Sequence, residues 1–182
     1  MTRYLSVGII ALLFASGATA QSANDDRFAP GPIFTEFGPH APVAGIDAVP
    51  ADTEFSHSFD VAAQAKEGSR NRGFESAARF INMHAAHGVD PENIRVAVVV
   101  HGGAVRDLLT ADGTAARNLP DNASADMVRA MLDAGVRFIV CGQSATGMGI
   151  AQEDLLLGVE MALSAMTAHA LLQQAGYTVN PF

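Results

Sequence analysis

The chain has 182 residues, enough for one domain with a sizeable core, and its 11 Lys and Arg against 19 Asp and Glu give a net charge of −8. With no Lys/Arg cluster, that balance disfavours nucleic acid and anionic lipid and leaves small molecules and other proteins as partners. The lone cysteine, Cys141, excludes an intramolecular disulfide, so the fold rests on its hydrophobic core and on any subunit contacts.

Arg3, the apolar run Val7 to Phe14 and the small residues Ala18-Thr19-Ala20 predict a cleavable signal peptide over residues 1 to 20, and hence a periplasmic or secreted protein. The apolar run is too short to span a bilayer, so no membrane association is expected after cleavage. Residues 21 to 52 carry Pro30, Pro32, Pro39, Pro42 and Pro50 with Gly31, Gly38 and Gly45, a density that rules out regular helix. They read as an extended arm whose Ile33, Phe34 and Phe37 are apolar enough to dock against this subunit or a neighbour.

From residue 53 to the end the pattern alternates strand and helix. A strand over 54 to 61 sets Phe55, His57, Phe59 and Val61 on one face, and a helix over 74 to 87 carries Phe74, Ala77, Ala78, Ile81 and Ala85 at amphipathic spacing before Gly88 and Pro91 close it. The run Ile94 to His101 is the strongest strand, its β-branched continuity being that of a parallel strand covered on both faces. Gly102-Gly103 break it. A short helix over 105 to 109, a polar loop over 111 to 121, and a helix over 123 to 134 with Asn122 as N-cap and Gly135 as stop should follow.

The next strand, Val136 to Val140, ends at Cys141, and Gly142 to Gly149 read as a glycine-rich loop at its carboxyl edge. Beyond it come a helical turn over 153 to 157, a strand over 159 to 163, a helix over 164 to 175 with Ser164 as N-cap, and a last strand over 177 to 179. Repeated β-α units imply a single α/β domain with a mostly parallel sheet of about five strands and helices on both faces. Met127, Met131, Met161 and Met166 read as core packing.

Open α/β sheets put their chemistry at the carboxyl ends of their strands, where Cys141 lies, flanked by Gly142, Gln143 and Ser144. A glycine-rich turn there can aim N–H groups at an anion, and the thiolate is the reactive form of cysteine. His101 ends the other strong strand on the same edge. With Gly102 and Gly103 it would join the site if the two strands are neighbours, pairing with the thiol or giving it a proton. The alternative is that Cys141 is a buried small apolar residue.

Other candidates are weaker. His84 and His87, with Met83, are three apart on one helix but lack a third ligand at characteristic spacing, so no metal is expected. Gly142, Gly147 and Gly149 lack the lysine and helix opening of a nucleotide loop, and neither Ser144 nor Ser164 sits in a nucleophile elbow. No cofactor is expected.

Val98-Val99-Val100-His101-Gly102-Gly103-Ala104, Cys141-Gly142-Gln143-Ser144 after Phe138, Asp154-Leu155-Leu156, Gly158-Val159, and Leu163 to Thr167 running to Gly176-Tyr177 together resemble the DsrE/DsrF-like family over about residues 54 to 182. The resemblance implies a five-stranded α/β domain that forms trimers or hexamers. It also implies a sulfur relay that carries a cysteine persulfide, with Cys141 as carrier and donor or acceptor proteins as partners. The best-understood relays of that family are cytoplasmic, whereas this chain adds an arm and a signal peptide. Two readings follow: an exported sulfur-handling protein acting through Cys141, or a non-catalytic oligomeric module in which the 142 to 149 loop and His101 line a small-ligand pocket around a buried Cys141.

Overall fold

The alternation of Phe55, His57, Phe59 and Val61 becomes β1 (Phe55–Val61), and its aromatic side meets Phe80 of α1 (Arg72–Ala86) through Phe55, His57 and Phe59. The computed structural model describes residues 27–180, so the expected signal peptide over residues 1 to 20 lies outside the described residues. β2 (Ile94–Val100), β3 (Arg137–Cys141), β4 (Glu160–Ala162) and β5 (Thr178–Asn180) complete one sheet in the order β4-β3-β2-β1-β5. Every neighbouring pair is parallel, so each step along the chain needs a crossover. These crossovers carry α1, α2 (Ala111–Ala115), α3 (Ala125–Asp133), α4 (Gly142–Gly147) and α5 (Ala165–Gln174).

Because β2 and β3 are covered on both sides, successive residues enter different cores. Val98, Val100, Phe138 and Val140 pack with Phe74 and Ala78 of α1, Met127 and Met131 of α3 and Ala145 of α4, and the Phe74 and Phe138 rings meet edge-on at 5.2 Å. On the other face Ala97, Val99 and Ile139 meet Ala168 and Leu172 of α5, with the half-buried Ala162, Ala165 and Tyr177 packed against them.

The proline-rich arm has no helix or strand among its described residues but doubles back through one antiparallel bridge, Ala29 with His40. Its irregular backbone is satisfied largely by one fully buried amide on α1. Asn82 Oδ1 accepts from the N–H groups of Ile33 and Phe34, and its Nδ2 donates to the carbonyls of Phe34, Phe37 and Gly38. Phe34 and Phe37 are buried and stacked at 4.9 Å, and Arg79 donates to the Pro39 carbonyl at 2.6 Å.

The largest departure from the sequence reading is the segment after Cys141. Gly142, Gln143 and Ser144 are the first turn of α4 rather than a loop, and β3 passes into that helix with no residue between. Gly142 makes this possible: a Cβ there would lie 2.7 Å from the Ala162 carbonyl oxygen. Buried Ala145 then anchors the short helix to the first core.

Gly102 and Gly103 likewise open a 3-10 stretch, Gly102–Leu108, that starts earlier than the helix expected over 105 to 109. The polar stretch over 111 to 121 contains α2, capped by the Thr110 side chain. Ser124 takes the N-cap position of α3 expected of Asn122, whose amide donates instead to the Asp107 and Leu109 carbonyls at 2.9 Å. Ser164 does cap α5, accepting from the Thr167 N–H. Met161 and Met166 are not core residues: they are 40% and 81% exposed, one on the edge strand and the other on the outer side of α5.

Candidate functional site

The topology fixes where a ligand can enter the sheet edge. After β3 the chain turns onto the first face, where Ala145 of α4 is buried; after β4 it turns onto the second, where α5 recrosses the sheet to β5. The carboxyl ends of β3 and β4 therefore flank the topological switch point, the crevice in which open α/β sheets bind their ligands. Cys141 stands there, beside Ala162 of β4.

Cys141 is 6% exposed and occupies the N-cap position of α4, where its side chain makes no cap hydrogen bond. Burial pushes its pKa up. The Ser144 hydroxyl and the N–H groups of Ser144, Ala165 and Gln143, all available to a thiolate, outweigh that and hold it below the ordinary cysteine value. Two of these N–H groups open α4, and the Ala165 N–H opens α5, so two helix starts converge on one sulfur. Ser144 Oγ accepts from the Gly102 N–H at 3.1 Å, which ties the first turn of α4 to the end of β2 and leaves the hydroxyl proton free to face the thiol.

β2 and β3 are neighbours, and the register that pairs Val100 with Val140 sets His101 beside Cys141 one step further on, both toward the α5 face. The His101 ring nevertheless does not pair with the thiol as expected: its Nε2 lies 3.2 Å from Asp60 Oδ2. Gly102 adopts φ +53°, and a Cβ there would meet the Ala62 carbonyl oxygen at 3.1 Å, so the turn that places His101 at the strand's end suits glycine. Gly103 follows in the same 3-10 turn. Gln143 is on the surface, its amide 3.4 Å from the Leu163 carbonyl.

Asp60 and His169 escaped the sequence reading. Asp60 Oδ1 accepts from His169 Nε2 at 2.8 Å, so one carboxylate joins imidazoles from β2's end and from α5. Burial pushes the Asp60 carboxyl up, but hydrogen bonds from His169 and His101, and their charge, hold it below the usual carboxylate value. The signal for Asp60 was the polar side of β1, where Ser56, Ser58 and Asp60 alternate with the aromatics. The signal for His169 was its place four residues after Ala165 and one after Ala168, on the sheet-facing stripe of α5.

His84 and His87 serve their own helix, their Nδ1 atoms lying 2.7 and 2.9 Å from the Phe80 and Met83 carbonyl oxygens. Among the described residues no group of three or more His, Cys, Asp or Glu is arranged to hold a metal ion, and no helix is long and apolar enough to cross a membrane.

A five-stranded parallel α/β domain with a thiol of lowered pKa at its switch point is the class these features define. The chain belongs to the DsrE/DsrF-like family, whose model matches residues 57–181, which places it in a family of sulfur-relay type. Among solved structures it is similar to the protein of unknown function MTH1491 from Methanobacterium thermoautotrophicum, at 21% identity, with 70% of this chain and 98% of that one covered and a TM-score of 0.50. It is also similar to the ychN protein from E. coli, at 18% identity, with 69% of this chain and all 100% of that one covered and a TM-score of 0.49. The likeness to MTH1491 is one of fold. No curated protein matches the sequence.

Proposed function

We propose that the chain is an exported sulfur carrier that holds sulfane sulfur as a persulfide on Cys141. The observation that carries this reading is the convergence of the α4 and α5 starts on one sulfur of lowered pKa, at the switch point. The Cys141 thiolate attacks the outer sulfur of a donor persulfide, R–S–SH. The donor's S–S bond breaks, a new one forms to Cys141, and RS⁻ leaves, so no outside oxidant or reductant is consumed. Transfer onward is the same exchange in reverse, with an acceptor thiolate attacking the outer sulfur. The N–H groups that stabilise the thiolate remain to receive the leaving Cys141 sulfur at that step. A recessed position protects a single thiol from dimerising by disulfide outside the cell.

Export rests on residues 1 to 20, and self-association on the exposed apolar side chains of β4, its flanks and α5. Leu157, Met161, Leu163, Met166 and Leu171 lie in water at an unpaired sheet edge, as a subunit interface would. The burial of Cys141 favours the competing reading, a binding module with an inert thiol.

Intact-mass analysis of the mature protein before and after polysulfide separates the two. The expected result is a gain of about one sulfur atom, reversed by reductant and absent in Cys141→Ser. Modification only after denaturation would make the thiol inert and leave the binding module standing. A mature N-terminus near Gln21 in the same spectrum supports export, and retention of residues 1 to 20 removes it.

A further inference from the structure

We propose that Asp60 and His169 are positioning residues for Cys141: their hydrogen bond lets β1 hold α5 at the depth where the Ala165 N–H meets the sulfur. The proposal rests on the reading of Cys141 as the working group, and it names the device that sets its reactivity.

The packing of α5 is what makes such a device necessary. It crosses the whole sheet from the β4 edge to the β5 edge, yet only Ala168 and Leu172 of its side chains are buried. Ala165 and Ala168 offer small methyls to Ala97 and Val99, and Leu172 is the one large α5 side chain buried there, so apolar packing gives the start of the helix little directional hold. Ser164 caps the helix from within, through Thr167, and so does not tie it to the sheet.

His169 supplies a directional anchor. It follows Ala165 by four residues on the same side of the helix, so the depth of one fixes that of the other. Its Nε2 bonds Asp60 at 2.8 Å, while its Nδ1 is buried without a partner, so the carboxylate is the ring's one hydrogen-bond partner among the described residues. Asp60 is steadied in turn by His101 at 3.2 Å, at the end of the strand next to Cys141. The chain of contacts thus runs Cys141, Ala165, His169, Asp60, His101, and returns to the strand beside Cys141.

The titratable and charged groups on this face are Asp60 of β1, His101 at the end of β2, His169 of α5, and, at the other end of β2, Arg95 paired with Glu54 at 3.5 Å. Glu160 of β4 is bound in two hydrogen bonds by Arg137 of β3, which Tyr177 also faces. None of these reports in a thiolate titration below the range of tyrosine, and Cys141 is the only thiol.

The test follows the far-ultraviolet absorbance of the Cys141 thiolate against pH, with Cys141→Ser subtracted, in two nearly isosteric variants. His169→Gln keeps an N–H donor at the reach of Nε2, whereas His169→Asn is too short to touch Asp60. The expected outcome is that Asn moves the thiol midpoint up by about half to one pH unit, a three- to tenfold smaller thiolate fraction at pH 7, and that Gln stays close to wild type. Midpoints unchanged in both variants, or raised equally in both, would overturn the proposal. Absorbance needs no access to the sulfur, so a protein that fails to take up sulfur but shows the Asn-specific rise loses the carrier reading and keeps the positioning one. A protein that loads sulfur with unmoved midpoints does the reverse.

Discussion

The two faces of the sheet are built to different specifications. On one, α1, α3, α4 and the folded-back arm bury Phe74, Phe138, Met127 and Met131 completely or nearly so, in a continuous apolar layer. On the other, a single helix that buries only Ala168 and Leu172 covers Ala97, Val99 and Ile139, and the carboxyl edge beside it is given to Asp60, His101, His169 and Cys141. Such polar groups cannot be sealed unpaired in an apolar layer, since an unpaired buried charge costs more than packing returns. The division therefore places the thick apolar layer on one side of a shared set of strands and the polar cluster beside Cys141 on the other.

The sharpest way to break this comparison is a matched pair of truncations. Phe138→Ala removes a fully buried ring from the thick layer and should cost about 3–5 kcal/mol, whereas Leu172→Ala on the thin side should cost about 2 kcal/mol. Urea midpoints compared at constant slope decide it. Equal losses would mean that α5 holds the fold as firmly as α1 and α3.

The next effect concerns assembly. If the thin side extends its apolar contacts to a neighbouring subunit, Leu163→Asp, at a position 72% exposed, should lower the sedimenting mass while leaving the far-ultraviolet circular dichroism unchanged. An unchanged mass would confine the exposed leucines and methionines to a monomer's surface.

The smallest effect is a difference in sign between two acids. Asp60, on the thin side, has its pKa lowered by His169 and His101 against the push of burial, so it adds stability that is present above about pH 4 and lost as pH falls through its folded value. Asp107, whose carboxylate accepts from Asn71 and the Ala65 N–H, has its pKa raised because burial outweighs those bonds. Its unfolded form ionises first as pH rises past about 4, so it subtracts stability on going to neutral pH. Melting temperatures from pH 3 to 7 for Asp60→Asn and Asp107→Asn, each compared with wild type, should diverge in opposite directions. Parallel curves would show that the two environments do not differ as described.

The long-range logic of the fold was legible where one residue type dominated a stretch. Ile94 to Val100 could be nothing but a covered strand, and Ser164 announced the start of α5. What misled was glycine: Gly142 and Gly147, which bound α4, read as a loop because their backbone freedom is a local property, whereas Gly149 does lie in the turn beyond it. The crowding against Ala162 that calls for Gly142 comes from a strand about twenty residues further on. Met161 and Met166 were misjudged for the converse reason, since hydrophobicity is local while exposure depends on which strand ends as the edge. The site was half legible. Cys141 and His101 each end a strong strand, but their adjacency needed the strand order. Asp60 and His169 are 109 residues apart, and only the return of α5 across the sheet makes them partners.

The direct passage of β3 into α4 has one more consequence. With no linking residue between a paired strand and a hydrogen-bonded helix, the backbone at Cys141 has no slack through which to swing its side chain outward. Any molecule that exchanges a group with this sulfur must present its own reactive atom along a fixed line of approach. If Cys141 carries sulfur as proposed, selectivity among donors is then a matter of which of them has a slender, protruding tip, such as a terminal persulfide on a flexible segment, and an insertion of even one residue at this junction would abolish the alignment.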